Sequence, residues 1–217
     1  MIRRLRLLYL ILRRSVFLSF FPVLVVCCFI PCITATRLWN ESDAEALQIF
    51  AYASQILVPL CAMLWPMGYL HIWLEGDAFE ALRSYSTYHK TCVGELLVLS
   101  TIYMLMLFPV IMFAVFVLDA SWLEYFRLII QALFISGCFY FSAMAFRNVT
   151  IGSIPVIGYL FLCFCISGSA EFASISIIEP QHLADQHNWV TLLLLIPSSV
   201  VLYFAGYSVD RFLRKFG

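Results

Sequence analysis

His182, Asp185 and His187 come nearest to a metal-ligand set in this sequence, two imidazoles and a carboxylate within six positions. Their spacing matches no common zinc pattern, and a polar external loop accounts for them without a metal. The sequence has no GxxxxGK[ST] phosphate loop, no GxSxG serine elbow and no HExxH metal pair. It therefore lacks the usual means of holding ATP and the machinery of the common hydrolases. Its cysteines, Cys27, Cys28, Cys32, Cys61, Cys92, Cys138, Cys163 and Cys165, lie in or beside apolar runs. There they act as small hydrophobes and indicate no disulfide framework. What remains is a set of polar side chains within apolar runs: Glu95, Arg127, Gln131, Ser136 and Ser142. In hydrocarbon such groups face protein or water. Glu95 can pair with Lys90 or Arg83, and Arg127 can reach Glu124 or lipid headgroups. Gln131, Ser136 and Ser142 can line a conduit or bond a neighbouring helix. The chain reads as a non-enzyme with no cofactor or metal of its own.

The elements that must hold these residues follow from composition. Of 217 residues, 63% are hydrophobic, 17% aromatic and 12% charged, with a mean hydropathy of +0.94. No soluble core of this size has that balance. Apolar runs of about 18 residues or more cross a hydrocarbon layer about 30 Å thick. Six such spans are legible, at roughly 15–36, 47–73, 92–118, 125–146, 151–167 and 189–208. The expected fold is an all-α polytopic membrane protein, a single transmembrane domain over residues 1–217. The first run, about 21 residues, is too long for a signal-peptide core and reads as a retained span. Pro66, Pro109, Pro155 and Pro197 fall inside spans, where they kink helices.

Basic residues set the orientation, because Lys and Arg near span ends resist translocation. With both termini cytoplasmic, Arg3, Arg4, Arg6, Arg13, Arg14, Arg83, Lys90, Arg147, Arg211, Arg214 and Lys215 lie inside, and only Arg37 and Arg127 lie outside. The acids Glu41, Asp43, Glu45, Asp119, Glu124, Glu171, Glu179 and Asp185 gather on the outer face, which is why the net charge is zero. The expected location is the plasma membrane, in contact with its lipids, and no nucleic-acid partner is expected. At the N-terminus, MIRRLRLLYLILRR places Arg3, Arg6, Arg13 and Arg14 within about a 100° arc of a helix. Residues 1–14 are thus either an interfacial helix on the inner leaflet or simple positive-inside anchoring.

Between spans two and three lies LEGDAFEALRSYSTYHK, residues 74–90. On a helix, Leu74, Ala78, Leu82, Tyr85 and His89 line one stripe, with Ala81 and Tyr88 beside it, while Asp77, Glu80, Ser84 and Thr87 line another. Glu75, Asp77 and Glu80 suit the positive end of the helix dipole, and Arg83, His89 and Lys90 suit the negative end. The segment is built as an amphipathic helix at the inner edge of the membrane.

Six spans, an amphipathic N-terminal segment, the loop WLEGDAFEALRSYSTYHK entered directly from span two, and the basic tail DRFLRKF together resemble the permease subunits of type 2 ABC exporters. Glu75, Gly76, Glu80 and Leu82 carry the resemblance most specifically. The family pattern usually has a basic residue close before the Gly, and this loop departs from it there. The resemblance implies that residues 74–90 are a coupling helix docked in a cleft of a separate ATPase, present in two copies. It implies that Glu75, Gly76, Asp77, Phe79, Glu80, Leu82, Arg83 and Tyr85 make the contact, and that ATP and Mg are bound by that partner. A second permease chain, identical or homologous, would complete a pathway for an amphipathic cargo such as a peptide, an antibiotic or a lipid-like molecule.

The family also has two short re-entrant helices between spans five and six. Here residues 168–188 contain EFASISIIEP and QHLADQHNW, separated after Pro180, as the corresponding stretch; the plain alternative is an external loop. Two other readings stand beside the exporter. A substrate-binding membrane component of a vitamin importer also has six spans, but usually carries Ala-x-x-x-Ala motifs in span one, where SVFLSFFPVLVVCCFIPC is bulky. A membrane enzyme or scaffold acting without ATP is the other.

Overall fold

The computed structural model describes residues 16–40, 42–75, 92–166 and 189–216, and every element within them is a helix. Helix α1 (Val16–Leu24) passes through a π-helical turn (Val25–Phe29) into α2 (Ile30–Asn40). Helices α3 (Asp43–Ala62) and α4 (Leu64–Leu74) are followed by α5 (Cys92–Leu118), α6 (Leu123–Phe146), α7 (Val149–Ile166) and α8 (Trp189–Phe216). Only helices satisfy every backbone group within one segment, which is why long apolar runs adopt them.

Prolines explain the interruptions. Pro31 has no N–H to offer the carbonyl one turn back, and just before it the ladder widens so that the Ile30 N–H bonds the Val25 carbonyl. Pro66 likewise leaves the Ala62 carbonyl without its usual donor, and α3 gives way to α4 at Met63 (φ −82°, ψ −18°). Two corners are left-handed at residues other than glycine, Asp119 (φ 51°) after α5 and Arg147 (φ 52°) after α6. A left-handed residue with a Cβ costs about 1–2 kcal/mol, and a glycine relieves that at an entropic cost of about 0.5–1 kcal/mol. Asp119 is exposed, so Asp119→Gly is expected to leave thermal stability in detergent unchanged or raised by up to about 1 kcal/mol, whereas the β-branched Asp119→Val lowers it.

Among the described residues, five helices are long and apolar enough to cross a membrane: Ser19–Asn40, Asp43–Leu74, Val93–Leu118, Leu123–Phe146 and Leu192–Phe212. The chain is an all-α membrane protein. The expected span at 151–167 corresponds to α7, which is apolar but shorter over Val149–Cys165. Two boundaries are corrected. The second span begins at Asp43, where Asp43 and Glu45 occupy the first turn and favour the positive helix end. The last helix continues to Phe216 and takes DRFLRKF into itself, so the tail extends the helix instead of leaving it. The segments expected at 1–14 and 168–188, and the 74–90 helix beyond Glu75, lie outside the described residues.

Helix α6 is the centre of the bundle, packed on α3, α7 and α8, with 61% of its span buried against 22% for α8. Small residues let the neighbours approach closely, which replaces the missing hydrophobic drive between helices in lipid. A Cβ on Gly152 of α7 would lie 2.6 Å from Ala143 Cα, and one on Gly206 of α8 would lie 2.7 Å from the Tyr140 ring. Gly137 is less tightly placed, a Cβ there lying 3.3 Å from the Ser199 carbonyl oxygen. Leu105, Phe116, Phe161, Val200 and Phe204 remain exposed on the outside of the bundle, as side chains in lipid do.

Candidate functional site at the α4, α5 and α7 ends

Glu75 is the last described residue before position 92 and ends α4. Its N–H closes α4 by donating to the His71 carbonyl (2.9 Å), and its backbone has left the helical region (φ −121°, ψ −4°). The side chain then turns onto α7, where the Val149 N–H donates to Glu75 Oε1 at 2.8 Å. Two further donors of this opening turn are met locally: Asn148 Oδ1 accepts the Ile151 N–H (2.8 Å) and the Asn148 carbonyl accepts the Gly152 N–H (2.9 Å). A carboxylate at a helix N-terminus gains from both the charge-assisted bond and the dipole, about 0.3–1 kcal/mol from the latter. Glu75 Oε2 also lies 2.6 Å from His71 Nδ1, a pair whose histidine is 61% exposed and which adds little stability.

The described chain resumes at α5, whose first turns are fastened to α4. Tyr69 on α4 donates its hydroxyl to Glu95 Oε2 on α5 at 2.5 Å, with both residues buried. A buried hydrogen bond to a carboxylate contributes about 1.5–3 kcal/mol. Helices α4 and α5, which flank the 74–90 segment, are thus joined to each other through Glu95, and α4 is joined to α7 through Glu75. Of the residues expected to contact a partner, Glu75 is placed here and its carboxylate caps α7. Gly76, Asp77, Phe79, Glu80, Leu82, Arg83 and Tyr85 lie outside the described residues, as do Lys90 and the His182, Asp185 and His187 cluster.

Of the remaining intramembrane polar residues, Arg127 and Ser136 bond protein side chains. Arg127 Nη2 donates to Glu124 Oε2 at 2.5 Å with both side chains essentially buried, which realises one of the two expected partners for Arg127. Ser136 Oγ on α6 and Tyr203 Oη on α8 share a hydrogen bond of 2.8 Å, and Ser100 of α5 lies 3.4 Å from the same phenol. Ser136 therefore bonds a neighbouring helix. Gln131 is buried on α6. Ser142 lines a cleft of about 170 Å³ between α6 and α7, with Phe134, Cys138, Pro155, Val156 and Tyr159. Among the described residues, no group of three or more His, Cys, Asp or Glu is arranged to hold a metal.

Sequence reasoning passed over Tyr69, Asn148, Tyr203 and the three packed glycines. A signal for part of this was present: Ser199 and Gly206 stand seven residues apart on α8 with Tyr203 between them, a stripe of small residues around one phenol. Compared with protein families, with curated proteins and with solved structures, the chain shows no match.

Proposed function

We propose that this chain is the permease subunit of a type 2 ABC exporter, with α7 as a sixth membrane span and both termini in the cytoplasm. In this reading a separate ATPase, in two copies, binds ATP and Mg and docks on residues 74–90. A second permease chain faces the first across a pathway for an amphipathic cargo. The observation that carries the reading is the junction at Glu75. The segment with the coupling-helix pattern leaves from a residue already fastened to another helix, and the two helices flanking the segment are tied by Tyr69 and Glu95. A push delivered there reaches α4, α5 and α7 together, which is what coupling a cytoplasmic motor to a membrane bundle requires.

The test is co-purification in mild detergent from cells that make the protein natively. The wild-type chain is expected to bring down an ATPase carrying a GxxxxGK[ST] loop, identified by peptide mass spectrometry. The double variant Glu80→Lys, Leu82→Asp is expected to lose it while staying monodisperse. A wild-type preparation that retains no such ATPase after crosslinking leaves the segment as an interfacial cap and favours the scaffold reading.

A further inference from the structure

Between α6 and α7, Gly152 meets the Ala143 backbone so closely that no side-chain atom fits. Farther along, the same two helices are spaced by two aromatic rings, Phe134 and Tyr159, in an edge-to-face contact of 6.2 Å between centroids. The cleft lies between these contacts. Pro155, at its wall, removes the N–H that the Ile151 carbonyl would use, which weakens the helix ladder of α7 where the cleft begins. A helix with one tight backbone contact, a proline beyond it and free volume beside it is built to turn about that contact.

Glu75 holds the short end of this helix. Val149 lies three residues from Gly152 and Leu162 lies ten residues on the other side, so the two arms are about 4.5 Å and about 15 Å at 1.5 Å per residue. A displacement of about 1 Å at Val149 then appears as about 3 Å at Leu162 if α7 turns as one piece. The Val149 N–H is given to Glu75, while Asn148 serves Ile151 and Gly152.

We infer that Glu75 is the positioning residue that sets the tilt of α7: a shift at the end of α4 passes through its carboxylate to Val149, turns α7 about the Gly152 and Ala143 contact, and alters the width of the α6/α7 cleft. The mechanical statement depends only on the described helices. Its use in transport rests on the exporter reading, where the shift is driven by the ATPase. It moves the principal response from spans two and three to the α6/α7 pair.

The test places spin labels at Phe126 on α6 and Leu162 on α7, both exposed, in a full-length chain whose own cysteines are alanine, and reads their distance distribution in lipid nanodiscs. Glu75→Ala is expected to shift or broaden the distribution by about 3 Å, while Glu75→Gln, whose amide oxygen still accepts the Val149 N–H, keeps the wild-type distribution. Circular dichroism of both variants checks that the helices are intact. An unchanged distribution in Glu75→Ala, or an equal change in Glu75→Gln, overturns the inference. Adding the co-purified ATPase with ATP separates the two claims. A nucleotide-driven shift in the wild type that persists undiminished in Glu75→Ala overturns the lever and leaves the exporter standing. An effect of Glu75→Ala in a chain that binds no ATPase supports the lever and removes the exporter.

Discussion

Gly152→Val abolishes or severely reduces recovery of folded, monodisperse protein. A Cβ there meets Ala143 Cα at 2.6 Å, Ala143 N at 2.7 Å and the Ser142 carbonyl carbon at 3.0 Å, all of them backbone atoms that no rotamer change can move. The only relief is to part α6 from α7, which gives up the closest packing either helix has along that face. Overpacking of this kind costs about 1–3 kcal/mol and occasionally more, and the branched side chain belongs at the upper end. Gly152→Ala is expected to lower the thermal midpoint measurably, and Ala143→Gly does not rescue it, because the obstructing atoms belong to the Ala143 backbone. Gly206→Ala behaves differently. Its new methyl meets carbons of the Tyr140 ring at 2.7 and 2.8 Å, so the loss in a Tyr140→Leu background is smaller than in the wild type, a coupling that a double-mutant cycle reads directly. Equal losses in both backgrounds would refute the assigned contact.

The second large effect is at Arg127. Its side chain is fully buried and bonded to Glu124, which is 2% exposed. Removing one partner leaves a charge in the bundle without its counterion, at about 3–5 kcal/mol, whereas removing both together exchanges the pair for hydrocarbon at little net cost. Arg127→Met and Glu124→Leu are each expected to lower stability strongly in detergent unfolding titrations, and the combined variant to recover most of the loss. If the combined variant is as unstable as the sum of the two, the pair does not act as a unit.

Much of this architecture was legible because a bilayer imposes one length scale and one secondary structure. The expected boundaries at 92–118 and 125–146 match α5 and α6 to within two residues, since each run ends in polar residues that leave the hydrocarbon. The last boundary was misjudged because Asp210, Arg211, Arg214 and Lys215 read as a tail, whereas a helix tolerates such residues once it has passed the membrane. The partner of Arg127 was readable because Glu124 stands three residues away on the same helix face. The bond from Tyr69 to Glu95 was not, since Tyr69 is 26 positions distant and no local rule relates them; the expected partners Lys90 and Arg83 lie outside the described residues. Glu75 shows the same limit: its charge suited the start of a new helix, and the helix it caps is α7, 74 positions on. Sequence patterns report what lies along one helix, while contacts between helices depend on topology.

The central claim is that the segment beginning at Glu75 docks on an ATPase. The most direct measurement is site-specific photocrosslinking from position 82 in native membranes, followed by mass spectrometry of the product. The account predicts a single covalent adduct with a protein bearing a GxxxxGK[ST] loop, weakened by Glu80→Lys and altered in yield by ATP with vanadate. Adducts confined to lipid, with no ATPase at position 82 under any nucleotide condition, would contradict it.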